Sequence, residues 1–492
     1  MKRLLSLIVP MLFIHLGLMA EEASGSPKLV VGIVVDQMRW DYLKYYDYTF
    51  GDNGFRRLLS EGHSCDNCLI DYVPTVTAAG HSSVYSGSIP AINGIVGNNF
   101  YVGSRKTYCA EDSTVSVIGS PNEAVGRMSP RNLRVTTMAD ALKMSQDFKS
   151  KTIGISLKDR GAILPAGHSA DAAYWYDYLE GIFVSSSYYL DELPLWVRQF
   201  NQVNKQDSDI RYTPKGNSLV ADLAIAALKG ENLGKGSYTD FLCISFSSTD
   251  YIGHRYGTRS PQTEDVYRQL DGQIASLLSA LDSQVGKGNY LLFLTADHAA
   301  AHNADLMTSN GIPAGRWMED EAAPELNDYL KHRFGTEENL VRDILEYRIY
   351  LDHEAIERSG INLKDVKMSV ISHLEENDTI AYAIDFEDLY NRTIPQEIKE
   401  RIIRGYNPKR SGDIQIVLQP GYYGFGEGSF TDGTTHAVWC PYDSHIPLIF
   451  MGWNVPNGRS GQKVSVTDIA ATICLLLSIQ VPDGCVGSPI IF

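Results

Sequence analysis

Carboxylate and imidazole side chains follow three predicted strands, at the point where each strand ends. The strands and the groups that follow them are Leu29–Val35 with Asp36, Phe241–Phe246 with Asp250 and His254, and Tyr290–Thr295 with Asp297 and His298. In open parallel sheets, ligands bind beyond the carboxyl ends of the strands. Carboxylate oxygen and imidazole nitrogen atoms are good zinc ligands, and catalytic sites keep a position open for water or substrate. The shared placement of these groups therefore predicts a metal site at one edge of a sheet.

The spacing within each pair is compatible with metal binding but is weak evidence alone. Asp250 and His254 are four residues apart, which places both on one side of a helical turn. Asp297 and His298 are neighbours at a strand end, where the turning chain lets both side chains converge. For any single pair, a salt bridge or a helix cap is the favoured alternative. Only their common position at strand ends favours a site.

A segment of small residues around Thr77, from Pro74 to Gly87, could approach a ligand closely through its backbone. A helix is predicted to start just after Thr77, and a helix N-terminus offers free N–H groups and partial positive charge to a phosphate. The Thr77 hydroxyl could then be a nucleophile, but only where a base or a metal lowers its pKa. Considered alone, Thr77 is better explained as a helix cap.

Two cations, Lys158 and Arg160, follow a fourth predicted strand, Thr152–Leu157. On an extended chain, alternating residues point the same way. Both cations could then bind the equatorial oxygens of a phosphoryl group during transfer. The alternative is a solvated surface pair.

Short apolar runs alternate along the chain with amphipathic stretches, which predicts an α/β fold with a largely parallel central sheet and helices on both faces. A fifth predicted strand is Ile446–Met451, and Thr263–Val285 and Val466–Leu477 are predicted helices. The alternation is interrupted between residues 303 and 410. We therefore predict a core at 27–302 and 411–492, with 303–410 as an inserted cap or accessory region.

The N-terminus has the order of a secretory signal peptide. Lys2 and Arg3 precede an apolar run that ends near Ala20. The sequence thus predicts a signal peptide at residues 1–20 and an exported protein, periplasmic or extracellular. A retained membrane anchor is the alternative for this segment. No internal stretch approaches the roughly 18 apolar residues that a membrane span needs.

The composition argues against nucleic-acid binding. The formal net charge is −16, and no basic run with interleaved aromatic residues is present. Such a surface repels a phosphate backbone, so an anionic substrate would need a local patch of positive charge.

The seven cysteines are few for a disulfide scaffold. One or two bridges could form in an oxidising compartment, and the odd count leaves at least one thiol free.

Considered together, these segments resemble the alkaline phosphatase superfamily over most of the mature chain. The resemblance is closest to the phosphate-irrepressible alkaline phosphatase branch, which uses a threonine nucleophile. The motifs that support it are VVDQMRWDYL, VPTVTAAGHSSVYSG, GIVGNNFY, SLKDRGAILPAGH, STDYIGH, TADH and DGTTHA. Ala299 and Ala437 depart from the pattern, because relatives often have glycine after these ligand pairs.

The resemblance implies a role for each candidate residue. One zinc ion would be held by Asp36, Asp297 and His298, with Thr77 as the attacking group. The other would be held by Asp250, His254 and His436. The remaining assignments are phosphate contacts at Asn98, Lys158 and Arg160, and no assigned role for His81, His168 and His302, which we expect to be structural.

The function that the resemblance implies is that of an exported two-zinc alkaline phosphatase acting on small phosphate monoesters through a covalent phosphothreonine intermediate. Magnesium is not expected, because Lys158 and Arg160 occupy positions that magnesium-using relatives give to metal support. Neither a nucleic acid nor a stable membrane partner is expected, and the oligomeric state and physiological substrate stay open. One alternative is a phosphodiesterase or nucleotide pyrophosphatase of the same superfamily; another is a zinc-dependent binding protein without catalysis.

Overall fold

The computed structural model describes residues 25–492. The predicted signal peptide at residues 1–20 lies outside the described residues. Among the helices that are described, none is both long enough and apolar enough to cross a membrane.

Most of the strands are short, and those that flank the candidate residues are among the longest. In chain order they are β1 Leu29–Val35, β2 His63–Cys65, β3 Cys68–Leu69, β4 Asn99–Val102, β5 Arg105–Tyr108, β6 Val117–Ile118, β7 Thr152–Ser156, β8 Ala172–Asp177, β9 Ile182–Ser186, β10 Asp240–Phe246, β11 Tyr290–Thr295, β12 Gly315–Met318, β13 Val341–Leu345, β14 Arg348–Leu351, β15 Ile380–Asp385, β16 Ile414–Leu418, β17 Tyr422–Phe425, β18 His445–Ile446, β19 Leu448–Gly452, β20 Gly458–Ser460 and β21 Val464–Ser465.

A ten-stranded sheet forms the centre of the molecule, in the order β20-β2-β19-β11-β1-β10-β7-β8-β9-β6. Its middle strands, from β11 to β8, are all parallel to one another, and β19 and β9 on either side of them are antiparallel. Every residue of β1, β10 and β11 is buried, as expected where both faces of a parallel sheet are covered. The predicted fold class is therefore confirmed.

The register of this sheet explains why the candidate groups meet. Val35 of β1 lies opposite Phe246 of β10, and Val34 lies opposite Thr295 of β11. The three strands thus end level with one another. The residues that follow them emerge at the same edge.

Helices cover the sheet and connect its strands. They are α1 Tyr42–Tyr45, α2 Phe55–Glu61, α3 Thr77–Ser86, α4 Pro90–Asn93, α5 Glu123–Gly126, α6 Met138–Ser145, α7 Asp159–Ala166, α8 Leu195–Asn204, α9 Lys215–Gly230, α10 Ser248–Tyr256, α11 Pro261–Gln284, α12 Ala304–Ser309, α13 Glu319–Phe334, α14 His353–Arg358, α15 Leu363–Leu374, α16 Gln396–Gly405, α17 Pro441–Ser444 and α18 Asp468–Leu477. Among them, α3 packs on α7 and α18, while α11 packs on α9 and α10.

Two local predictions differ from the structure. The predicted strand Ile446–Met451 is divided at Pro447, which has no N–H to donate, and β19 runs antiparallel to β11. The stretch with Lys158 and Arg160 is not extended, because α7 begins at Asp159 and places Arg160 in its first turn.

A second sheet of four strands, in the order β13-β14-β16-β15, lies between the two predicted parts of the core in the sequence. Strand β16 pairs with both β14 and β15, so this sheet extends past residue 410, the predicted end of the insertion. Strands resume after residue 410, but the first of them, β16, belongs to the second sheet. That residues 303–410 form an inserted region stays a prediction.

Candidate active site

Six of the candidate side chains form two clusters at the edge where β1, β10 and β11 end. In each cluster the three potential ligand atoms lie within 4.8 Å of one another. The first cluster contains Asp36, Asp297 and His298, and the second contains Asp250, His254 and His436. Asp250 and His254 lie one turn apart on α10, as their spacing predicts, and His436 lies in the loop between β17 and α17.

All three imidazoles of these clusters are oriented by a backbone carbonyl oxygen. Nδ1 of His254 lies 2.9 Å from the oxygen of Thr434, Nδ1 of His298 lies 3.0 Å from that of Ala299, and Nδ1 of His436 lies 2.7 Å from that of Thr75. Because a carbonyl only accepts, Nδ1 must carry the hydrogen in each ring. Nε2 is then left with a free lone pair, which is the arrangement found in metal-binding histidines.

The carboxylates are crowded in a way that a divalent cation would relieve. Asp36 Oδ1 is buried and accepts no hydrogen bond from residues 25–492, and the buried Asp297 Oδ2 has only the more distant His81 Nδ1, at 3.2 Å, beside it. Burial, together with the nearby Asp250 and Asp297 carboxylates, raises the pKa of Asp36 well above its usual range. Burial also lowers the pKa of His298 and of His436, which favours the neutral form that binds metal. The donor set and the unpartnered oxygens therefore fit two metal ions.

Lys158 lies between the two clusters, and Thr77 lies beside Lys158 and the first cluster. The Lys158 ammonium group donates to Asp36 Oδ2 and to Asp250 Oδ2, both at 2.6 Å. Thr77 Oγ1 is 3.5 Å from Lys158 Nζ and 3.5 Å from His298 Nε2. Thr77 is the first residue of α3, and its hydroxyl makes no cap to that helix. The alternative of a helix cap is thus not what the structure shows.

Glycine at position 80 brings α3 against the end of β11. A Cβ atom at Gly80 would clash with the backbone oxygen of Asp297. All ten residues of α3 are buried, so the helix has no room to move outward. The small residues after Thr77 therefore set the distance between this hydroxyl and the first cluster.

The other two candidate phosphate contacts lie at the rim of this arrangement. Asn98 Oδ1 accepts the N–H of Ala78 at 3.1 Å, which fixes its amide beside the start of α3. Arg160 donates from Nη1 to the hydroxyl oxygen of Tyr108 at 3.0 Å. Arg160 makes no hydrogen bond to Thr77 or to either cluster, unlike Lys158, within the described part of the chain.

One histidine that we expected to be structural contacts the site. His81 Nδ1 lies 2.8 Å from the backbone oxygen of Thr77 and 3.2 Å from Asp297 Oδ2, while its Nε2 lies 2.7 Å from Ser245 Oγ. Because a carbonyl only accepts, Nδ1 carries the hydrogen and donates to Thr77, with Asp297 Oδ2 close beside it. The spacing of four residues from Thr77 on one helix could have indicated this contact. His168 and His302 bond to Val135 and Thr258 instead.

Ala437, where relatives often have glycine, has a backbone conformation that favours glycine. Its φ is 83°, in the left-handed region where glycine is favoured. Ala437 directly follows His436, and Asp443 accepts the N–H of Val438 at 2.9 Å. The loop is thus held in this conformation by hydrogen bonding rather than by glycine.

A cleft of about 300 Å³ opens beside the second cluster. Its walls include His254 and the aromatic rings of Tyr212, Tyr251 and Phe430. A larger cleft of about 650 Å³ lies against the second sheet and is lined by none of the candidate site residues. The smaller cleft therefore borders the site at His254.

A family model described as type I phosphodiesterase / nucleotide pyrophosphatase matches residues 30–438. The alkaline phosphatase PafA of Elizabethkingia meningoseptica is 42% identical over 96% of this chain and 96% of its own. A protein of Myroides odoratus named calcium-transporting ATPase is 42% identical over 97% and 96%, and the alkaline phosphatase PhoV of Synechococcus elongatus is 42% identical over 94% and 92%. The crystal structure of wild-type PafA superposes with a TM-score of 0.91, covering 95% of this chain and 99% of that one.

Proposed function

The chain belongs to the type I phosphodiesterase / nucleotide pyrophosphatase family, and we propose that it is an alkaline phosphatase that hydrolyses phosphate monoesters with Thr77 as the nucleophile. The observation on which this rests is the position of the Thr77 hydroxyl beside His298 of the first cluster and beside Lys158, whose ammonium group contacts both clusters of potential metal ligands. Full-length relatives named alkaline phosphatase support the same activity.

We propose zinc as the metal, with Asp36, Asp297 and His298 as one set of ligands and Asp250, His254 and His436 as the other. Mixed oxygen and nitrogen donors suit zinc. When bound, two zinc ions act as Lewis acids that offset negative charge on the attacking and departing oxygen atoms. Magnesium is not part of the proposal.

The residues of the chain divide the reaction into two displacements. In the first, Thr77 Oγ1 loses its proton to solvent and forms a bond to phosphorus, the bond from phosphorus to the ester oxygen breaks, and the alcohol leaves with a proton from solvent. In the second, a water molecule loses a proton to solvent as its oxygen attacks phosphorus, the bond from phosphorus to Thr77 Oγ1 breaks, and Oγ1 takes up a proton, which releases phosphate and restores the hydroxyl. Each displacement inverts phosphorus, so the product has net retention. The transition state is loose, and positioning and charge stabilisation supply most of the acceleration.

Lys158, Arg160 and Asn98 would bind the non-bridging phosphoryl oxygens. A monoester presents more charge and more free oxygens than a diester, so two cations favour the monoester. The second candidate function is that of a phosphodiesterase or nucleotide pyrophosphatase, which are the activities named in the description of the matching family. The site geometry gives no specific support to the transport activity named for the Myroides odoratus relative.

Export to the periplasm or the medium is part of the proposal and rests on the order of residues 1–20. N-terminal sequencing of the mature protein tests it. A chain that starts near residue 21 supports export, while one that retains Lys2 and Arg3 contradicts it.

The decisive experiment compares turnover of an aryl phosphate monoester with turnover of its methyl diester. We expect the monoester to have the higher kcat/KM. In Arg160→Ala, kcat/KM for the monoester should fall by about 100-fold, on the order of 3 kcal/mol, by analogy with the loss of one oxyanion donor. A large preference for the diester, or unchanged monoester kinetics in Arg160→Ala, contradicts the assignment.

Two further measurements test the mechanism. Acid quenching during turnover should trap phosphate on Thr77, and elemental analysis should find two zinc ions per chain. A metal-loaded protein that is inert toward every phosphate ester would instead indicate a binding protein.

A further inference from the structure

Gln37, which is neither a proposed metal ligand nor a proposed phosphate contact, touches both clusters. Its side-chain Nε2 donates to Asp250 Oδ1 at 2.7 Å, and its backbone N–H donates to Asp297 Oδ1 at 3.2 Å. It also directly follows Asp36 in the chain. One residue therefore touches a carboxylate of each cluster and is the chain neighbour of Asp36, which carries the third carboxylate.

The orientation of the Gln37 amide is fixed by its partners. The Asp250 carboxylate faces it as an acceptor, so the nitrogen end must point there and the oxygen end must point away. The oxygen end lies against Gly253 of α10, where a Cβ atom would clash with it. Glycine at 253 thus makes room for this amide one residue before His254.

The Gln37 backbone is in an unfavourable conformation. Its φ is 65°, in the left-handed region that residues with a side chain seldom adopt, and the residue is only 4% exposed. Such a conformation is costly and persists only where the surroundings impose it. At Gln37 it lets the N–H and the side chain reach the two clusters at once.

We propose that Gln37 is a positioning residue that fixes the Asp250 carboxylate relative to the Asp36 and Asp297 carboxylates, and so sets the second metal group relative to the first. Asp250 Oδ2 is held by Lys158, and Oδ1 is held by Gln37 and lies 3.1 Å from His254 Nε2. Loss of the amide removes the only donor to Oδ1 that belongs to neither cluster among the described residues. The inference rests on the proposed two-metal function.

A purely structural role is the competing explanation, since a buried glutamine can simply satisfy buried carboxylates. The retention of metal distinguishes these two explanations. General destabilisation weakens metal binding at both clusters, whereas misplacement of Asp250 weakens it at the second cluster alone. Partners of metal ligands typically contribute 10- to 100-fold to metal affinity.

The test uses the full-length protein and measures zinc retained per chain against increasing chelator. The variants are Gln37→Met, which keeps the length and removes the donor, and Gln37→Gly, which keeps the backbone N–H and relieves the strain. Gln273→Met is the control, because Gln273 bonds to Ser218 between α9 and α11, away from the site. Cobalt absorption spectra of the same proteins report the geometry of the metal groups without reference to activity.

In both Gln37 variants, we expect one of the two metal ions to be lost at a 10- to 100-fold lower chelator concentration, with an altered cobalt spectrum and little change in the other ion. Gln273→Met should match the unsubstituted protein. Equal retention of both ions in Gln37→Gly and the unsubstituted protein overturns the inference and leaves the proposed function intact. An unsubstituted protein that binds no metal overturns both.

Discussion

The edge of the central sheet and the start of β14 both bury charge, and they differ in how that charge is paired. At the sheet edge, Asp36 and Asp297 each have a buried oxygen with no hydrogen bond from the described residues. At the start of β14, the guanidinium group of Arg348 is 1% exposed and uses all its N–H groups. Its acceptors are Val73 O, Val96 O, Gly405 O, Ser411 Oγ and Gln415 Oε1.

The difference distinguishes a functional arrangement from a structural one. A buried carboxylate oxygen without partners is costly, and a bound cation would offset that cost where several such carboxylates lie together. A fully bonded guanidinium has nothing left to offer a ligand, and Arg348 instead connects the second sheet to the segments on either side of α3. We expect substitutions at the sheet edge to lower activity and substitutions at Arg348 to lower stability.

The largest expected effect on activity is that of Asp36→Asn. We expect kcat/KM for a monoester to fall by roughly 1,000-fold or more, because a proposed metal ligand is lost and metal ions supply several kcal/mol of charge stabilisation. The melting temperature of the metal-free protein should stay the same or rise, since one of three crowded carboxylates becomes neutral. Steady-state kinetics and thermal melts measure both.

Asp222→Asn is the matched control, because Asp222 is an exposed carboxylate on α9. It should change neither quantity. Retained activity in Asp36→Asn, or a large loss of stability in the metal-free protein, contradicts the distinction between the two regions.

Arg348→Met should have the opposite profile. Several buried carbonyl oxygens lose their donor, which should lower the free energy of unfolding by about 3 kcal/mol. Activity per folded molecule should fall far less than in Asp36→Asn, because Arg348 makes no hydrogen bond to either cluster. Denaturant unfolding measures the change in the free energy of unfolding. The control is Arg358→Met, on the exposed face of α14. An equally stable Arg348→Met contradicts the structural role.

The smallest effect concerns Glu346, in the turn between β13 and β14. Burial raises its pKa to about 7, and Oε1 accepts the N–H of Asn98 at 2.8 Å. A raised carboxyl pKa means that the folded state binds the proton more tightly, so stability is lost as the pH rises from about 5 through 7. Glu346→Gln keeps the acceptor and should flatten this loss, by on the order of 1 kcal/mol at pH 8.

Melting temperatures at pH 5.5 and 8.5 measure the effect. Glu357→Gln, an exposed substitution on α14, is the control and should keep the original slope. The prediction is wrong if the melting temperature of Glu346→Gln depends on pH in the same way as that of the unsubstituted protein.

The sequence predicts the centre of the fold and much of the first cluster because local patterns determine them. Strands β1 and β11 have the predicted bounds, and parallel strands place Asp36 and Asp297 at one edge. His436 lies in a loop without periodicity, so only the resemblance pointed to it. The conformation of Gln37 and the bonding of Arg348 depend on contacts between distant segments, which no local pattern encodes.

The separation of the cluster residues along the chain also has a consequence for biosynthesis. Translation supplies Asp36 and Thr77 early and Asp297 past the middle of the chain, but the second cluster gains its third member only when His436 has been made. Strand β19, which lies between β2 and β11 in the finished sheet, follows later still. A chain still on the ribosome therefore has its hydroxyl group long before it has a complete set of ligands, and the order of synthesis itself postpones assembly of the site until the protein is nearly finished.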